Sequence, residues 1–170
     1  MYVMVATDGS LDTDQTAVLA SRIAGRDGRV TVCTVVEVPR QILNEMRRAA
    51  APEPDLSDVE VDVEYRRTQA TDTAAGNWIG DDAFVENYVG RVVATRTDDL
   101  VAALEASGVA VDVLGLEGEN ASRSVLEAVT EHAPDVLIVG THGIGLFEGL
   151  LGSLSTKIAR LAPCSVLLLR

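Results

Sequence analysis

The stretch Asp135-Val136-Leu137-Ile138-Val139-Gly140-Thr141-His142-Gly143 decides the fold. An unbroken aliphatic run of this length, bounded by Pro134-Asp135 and by glycine, has the signature of a strand buried on both faces. From Gly140 to Ser153 the chain places five of its 14 glycines in 14 residues. A helical pattern follows, with Leu154, Ile158 and Leu161 on one face, and Ala162-Pro163 ends it. The last run, Ser165 to Leu169, is again a strand.

Working outward, the same alternation recurs. Tyr2 to Thr7 is a strand that ends in the turn Asp8-Gly9-Ser10. Asp12-Thr13-Asp14-Gln15 has the form of a capping box, and Ala17, Ala20, Ile23 and Ala24 follow at helical spacing until Gly25 and Gly28. Val30 to Val36 and Val109 to Leu114 are further strands. Gly118-Glu119-Asn120 is a turn and cap, and the next helix puts Val125, Leu126, Val129, His132 and Ala133 on one face. Strands alternating with helices predict an α/β protein, a doubly wound five-stranded parallel sheet covered on both faces. Ligands on such sheets bind beyond the carboxyl ends of the strands.

The middle of the chain has a looser pattern. Arg40 to Ala50 reads as helix, and Ala51-Pro52-Glu53-Pro54-Asp55 as a breaker. Val59, Val61, Val63 and Tyr65 alternate with charged residues as in a half-exposed strand. Thr68 to Gly80 reads as loop. Asp82 to Ala106 reads as helix, interrupted near Thr95 to Asp98, with Phe84, Tyr88, Val92, Leu100 and Leu104 buried. A rival reading pairs 59–66 with 88–95 as a hairpin.

Composition bounds the function. The formal net charge is −12, and the basic residues are 13 arginines and a single lysine, Lys157. No basic stripe exists to displace counterions from nucleic acid, and an acidic membrane surface would repel the chain. Hydrophobic residues make up 47% but aromatics only 4%, so the core must be aliphatic. Cys33 and Cys164 sit in apolar runs without metal-ligand spacing and read as small buried hydrophobes. No signal peptide opens the chain, and no apolar run approaches the roughly 18 residues of a membrane helix. A cytoplasmic protein is expected.

The glycine-rich crossing reads either as backbone needed only for turning and close packing or as a seat for an anion. The first N–H groups of a helix lack intrahelical partners and carry partial positive charge. Glycine lets an anion approach the backbone, and serine adds a hydroxyl donor. The loop has no lysine, so Gly152-Ser153 is no Walker-type phosphate loop. No catalytic set is evident either. His132 reads as a packed or rim residue, and His142 as a neighbour of the anion.

Gly140-x2-Gly143-x8-Gly152-Ser153, then Ser155 and Pro163-Cys164-Ser165-Val166-Leu167-Leu168-Leu169, resembles the nucleotide-binding end of the universal stress protein family. Val5-Ala6-Thr7-Asp8-Gly9-Ser10 and Ala133 to Gly143 resemble its first and fourth strands. The likeness covers roughly residues 1–37 and 100–170. It implies a single domain over 1–170 with an insertion or lid at about 38–82. It also implies a flavodoxin-like, adenine nucleotide alpha-hydrolase-like fold with strand order 3-2-1-4-5. The implied ligand is ATP or ADP, with Mg²⁺ arriving on the phosphates. Ala6, Thr7 and Asp8 would line the nucleotide, Asp8 facing adenine, together with backbone at Val35. Val139 and Gly140 would flank the ribose. Gly143, Gly152, Ser153, Leu154 and Ser155 would hold the phosphates.

The resemblance further implies a sensing module that forms a homodimer through the edge strand 165–169 and acts on a downstream protein. Two departures stand out: eight residues, Ile144 to Leu151, separate Gly143 from Gly152 where the family pattern has nine, and Ala6 stands where many members have proline. These keep open a dimeric scaffold without nucleotide. An ATP-hydrolysing enzyme of the alpha-hydrolase group is the other alternative, although Asp8-Gly9-Ser10 lacks that group's double glycine.

Overall fold

The computed structural model of the protein describes residues 1–37, 78–141 and 152–170, with backbone alone over 78–84. The readings made for 40–50, 51–55, 59–65, 68–77 and the lid at about 38–82 fall largely or wholly outside these residues, as do His142, Gly143 and the rest of the glycine loop to Leu151. By its contacts the chain divides into two units, Met1–Glu37 with Val89–Arg170, and Val38–Tyr88. The first carries the sheet.

Five parallel strands form that sheet: β1 (Tyr2–Ala6), β2 (Arg29–Val36), β3 (Ala110–Glu117), β4 (Val136–Gly140) and β5 (Ser165–Leu169). Their spatial order is β3-β2-β1-β4-β5, the expected doubly wound, flavodoxin-like arrangement. The helices are α1 (Thr13–Ala24), α2 (Trp78–Ala106), α3 (Ala121–His132) and α4 (Ser153–Leu161). Register places Val5 beside both Val32 and Ile138, so β1 is central.

Strand alternation sorts the aliphatic residues onto two faces. Val3, Val5, Val30, Val32 and Ile138 meet Ala17, Ala20 and Ala24 of α1 and Leu100 and Leu104 of α2. Met4, Ala6, Cys33, Leu137 and Val139 meet Val125 and Val129 of α3 and Ile158 of α4. The small alanines of α1 let that helix lie close to the sheet. Asp12 caps it by accepting from the Gln15 N–H at 2.7 Å, and Gly25 closes it at φ 75°.

Several readings of the sequence need correction. Residues 78–80, read as loop, begin α2, which runs unbroken through 95–98. Thr and Asp are weak helix formers, but Thr95 and Thr97 turn their hydroxyls back onto the carbonyls of Arg91 and Val93, at 2.8 and 2.9 Å. Because 88–95 is helical, it cannot be one arm of a hairpin. β3 continues past Leu114 to Glu117. Gly115 permits this, since a Cβ there would stand 2.8 Å from Val93 Cγ2 of α2.

His132 and Leu161 complete the corrections. His132 is exposed on the last turn of α3, and Ala133 leaves that helix in the left-handed region at φ 48°. Leu161 is 58% exposed because α4 ends there and Ala162 turns extended. Cys164, read as buried, is only half-buried. Among the described residues no helix is long and apolar enough to cross a membrane.

Candidate functional site

The sheet reverses its winding between β1 and β4. There the carboxyl ends of both strands open into a cavity of about 220 Å³. Its floor is Ala6 of β1, Cys33 and Val35 of β2, and Val139 and Gly140 of β4. Leu11, Ala121 and Val125 add an apolar wall, and Thr7, Asp8, Ser10 and Gly152 to Ser155 form a polar rim. Ten residues assigned from the sequence therefore surround one space: Ala6, Thr7, Asp8, Val35, Val139, Gly140, Gly152, Ser153, Leu154 and Ser155. Gly143 lies outside the described residues. Sequence reasoning missed Ser10, Leu11, Cys33, Ala121 and Val125. The Cys33–Val35 alternation could have flagged Cys33, because residues two apart on a strand face the same way.

The turn after β1 is held by its own side chains. Thr7 N–H continues the ladder by donating to Cys33 O at 2.9 Å. Thr7 Oγ1 accepts from Gly9 N–H at 2.9 Å. Asp8 Oδ1 accepts from Ser10 N–H at 3.0 Å and from the Ser10 hydroxyl at 2.5 Å. One carboxylate oxygen of Asp8 is thus engaged in an Asx turn, and the residue is exposed at the rim. Gly9 adopts φ 90°, a conformation that side chains resist.

Two helices start at the cavity. α3 is capped by Asn120, whose side chain accepts from Arg123 N–H at 3.1 Å and from the Ser122 hydroxyl at 2.8 Å. The start of α4 has no side-chain cap, and neither helix has an acidic residue in its first turn. Their N-terminal partial charges therefore stand uncompensated by those turns. α4 is fixed by two bonds. Gly152 N–H donates to Thr141 O at 3.0 Å, and the Ser155 hydroxyl donates to Gly140 O at 2.6 Å. Ser155 is 2% exposed. Both of these donors, assigned to phosphate from the sequence, are spent inside the chain.

What remains at α4 is the N–H groups of Ser153, Leu154 and Ser155, which helix geometry leaves without intrahelical acceptors, and the exposed hydroxyl of Ser153. Thr141 also joins α4 to the sheet edge, because its N–H donates to Leu169 O at 2.7 Å.

The cavity has little acid–base or nucleophilic chemistry of its own. Burial pushes the Cys33 thiol up to about 12, so it stays neutral and inert at physiological pH. Among the described residues no three His, Cys, Asp or Glu side chains converge as metal ligands. The arrangement is that of a binding slot: apolar at the β2 end, rich in N–H donors at the α4 end.

Comparison with known proteins identifies the family. A 60-residue stretch is 42% identical to a Thermus aquaticus protein called "Universal stress protein in QAH/OAS sulfhydrylase 3'region", covering 35% of this chain and 43% of that one, under half its length. A solved universal stress protein in complex with cAMP has a TM-score of 0.54 at 18% identity, over 100% of this chain and 96% of the other. An Arabidopsis thaliana universal stress protein family structure with AMP bound has a TM-score of 0.55 at 15% identity, over 99% and 90%. At such identities the structures speak for the fold alone. The family pattern itself matches residues 1–170 from end to end, and the chain belongs to the universal stress protein family.

Proposed function

We propose that this protein is an adenine-nucleotide-binding regulatory module that takes ATP or ADP and signals through its partners. The observation that carries the reading is the polarity of the slot. A flat apolar base fits against Ala6, Val35 and Val125, and the phosphates reach the uncapped start of α4. A volume of about 220 Å³ is below the roughly 300–1,000 Å³ usual for small-molecule sites. It suits a nucleoside whose phosphates project outward. The cAMP and AMP held by the two solved relatives support the class of ligand. Any Mg²⁺ would come with the phosphates, since the described residues supply no ligand cluster.

The sheet supports partnership. β5 is an edge strand, and Val166, Leu167 and Leu168 are only half-buried. Edge strands of this kind invite pairing, and a second copy across a two-fold axis is the simplest cover. A second reading, a dimeric scaffold without nucleotide, draws on the internal engagement of Gly152 N–H and the Ser155 hydroxyl.

The test is direct. The protein is purified without added ligand and denatured, and the released small molecules are identified by mass spectrometry, alongside ATP titration by calorimetry. ATP or ADP from the wild type and none from Gly152→Val supports the nucleotide reading. A Cβ at Gly152 would already stand 3.3 Å from Thr141 O, so the larger side chain must crowd the rim. Empty protein that ignores micromolar ATP leaves the scaffold. Sedimentation at twice the 18.0 kDa chain mass supports the homodimer.

A further inference from the structure

Lys157 is the only lysine of a chain whose formal net charge is −12, and it stands in an unexpected place. α4 runs Ser153–Leu161, so Lys157 follows directly on its first turn. Cations are favoured at the C-terminal end of a helix, where Arg160 lies, and not at the positive N-terminal end. Residues four apart share one helix face, and a long side chain leans back over the turn before it. Lys157 therefore reaches toward Ser153. The surface agrees: Ser153 and Lys157 line one groove on the exposed flank of α4, together with Thr156, Arg160 and Leu161. Ser153 also lines the slot, so groove and slot meet at that residue.

A second groove, between α3 and α4, reaches the same side chain. Asn120, next to Ala121 of the slot wall, lines it together with Glu127, Glu131 and Lys157. Glu127 is engaged by Arg123 Nε at 2.8 Å. Among the described residues no carboxylate pairs with Lys157, Glu131 included, and none pairs with Arg160. An acidic protein thus leaves two cations without carboxylate partners on the helix whose start has no side-chain cap.

We propose that Lys157 receives the phosphates beyond the first, so that the site prefers nucleoside di- and triphosphates to monophosphates. The inference rests on the nucleotide reading above, with the phosphates at the start of α4. A cavity of about 220 Å³ holds the nucleoside, and the first phosphate meets the N–H groups of Ser153 to Ser155 at its rim. Every further phosphate then lies outside the slot, and the groove that opens at Ser153 holds Lys157. Among the described residues the slot lining has no Lys or Arg and includes Asp8, so each added phosphate would be repelled without that ammonium. An ammonium has three donors and no acceptor, and its bonds to phosphate oxygens are charge-assisted. Lys157 is therefore a specificity-determining residue that sets the preferred number of phosphates. The glycine pattern does not contain it, because it lies one turn into α4.

The experiment titrates AMP and ATP, which share base and ribose, into wild type, Lys157→Met and Lys157→Arg by calorimetry, in EDTA so that no metal ion shields the phosphates. In the wild type ATP binds more than about fivefold tighter than AMP. Lys157→Met keeps most of the stem and removes the charge, so it lowers that ratio by about fivefold or more. Lys157→Arg keeps the charge and stays near the wild-type ratio. Salt screens the ammonium, and about 0.5 M sodium chloride lowers the wild-type ratio toward parity. A wild-type ratio below about fivefold, a smaller fall in Lys157→Met, a Lys157→Arg ratio as low as that of Lys157→Met, or a ratio unmoved by salt overturns the inference and leaves nucleotide binding intact. Failure of the wild type to bind either nucleotide overturns the nucleotide reading itself, and this inference with it. Lys157 is exposed, so both variants should fold. If circular dichroism shows Lys157→Met unfolded, the wild-type ratio and its salt response decide.

Discussion

Ser153 and Ser155 stand two residues apart at the head of α4 and should behave oppositely when each is cut to alanine. Ser155 is 2% exposed and its hydroxyl lies 2.6 Å from Gly140 O. Ser155→Ala deletes the donor and leaves that carbonyl short of a partner inside the protein. An orphaned buried acceptor costs about 1–3 kcal/mol. In a chain of 150–250 residues each kcal/mol moves Tm by about 2–4 °C. The middle of these ranges is a loss of about 4–8 °C. Ser153 is exposed and makes no cap bond, so Ser153→Ala should leave Tm within about 1 °C. Its loss appears instead in ligand affinity, where a hydrogen bond to a charged oxygen is worth about 1.5–3 kcal/mol, or about ten- to a hundredfold in Kd. Scanning calorimetry and ATP titration of the two variants read both quantities. A Ser155→Ala protein that melts with the wild type while Ser153→Ala melts early would refute the assignment of Ser155 to the frame and Ser153 to the ligand.

Three further outcomes follow from single residues. The Cys33 thiol, ordinarily at 9.0 and raised to about 12 by burial, stays neutral in the fold while the unfolded chain ionises. Its contribution is complete below pH 9 and is lost as pH climbs toward 12, by about 1.4 kcal/mol per unit. Urea denaturation at pH 8, 9 and 10 should show that fall in the wild type and a shallower one in Cys33→Ala. Gly28→Ala would drive its Cβ into the carbonyls of Ala24 and Met1, both backbone, and should cost about 1–3 kcal/mol by denaturant midpoint. Asn120→Ala removes the α3 cap and should cost about 1 kcal/mol, seen in the same assay.

Much of the fold was legible because its signal is local. Val3 to Ala6 and Val136 to Val139 read as buried strands from their own composition, and the turns at Asp8-Gly9-Ser10 and Gly118-Glu119-Asn120 bounded the helices beside them. The errors came where residue type alone misjudged what the helix does at that point. Thr95 and Thr97 suggested a break, yet each hydroxyl found a carbonyl one turn back. Leu161 fitted the apolar face of α4 by spacing and is exposed because the helix stops there. The site was legible through its glycines and serines, but not the split between donors kept for the chain and donors left open. Arg96 meets Val35 across 61 positions, a contact that no periodicity contains.

Thr141 sits between two structures usually discussed apart. One of its backbone groups grips Leu169 of the edge strand and the other grips Gly152 at the head of α4. If a subunit docks on β5 and an anion rests on α4 as proposed, the two would pull on opposite ends of this one residue. Thermodynamic linkage makes that pull mutual: if assembly tightens ligand binding by some factor, the ligand must tighten assembly by the same factor.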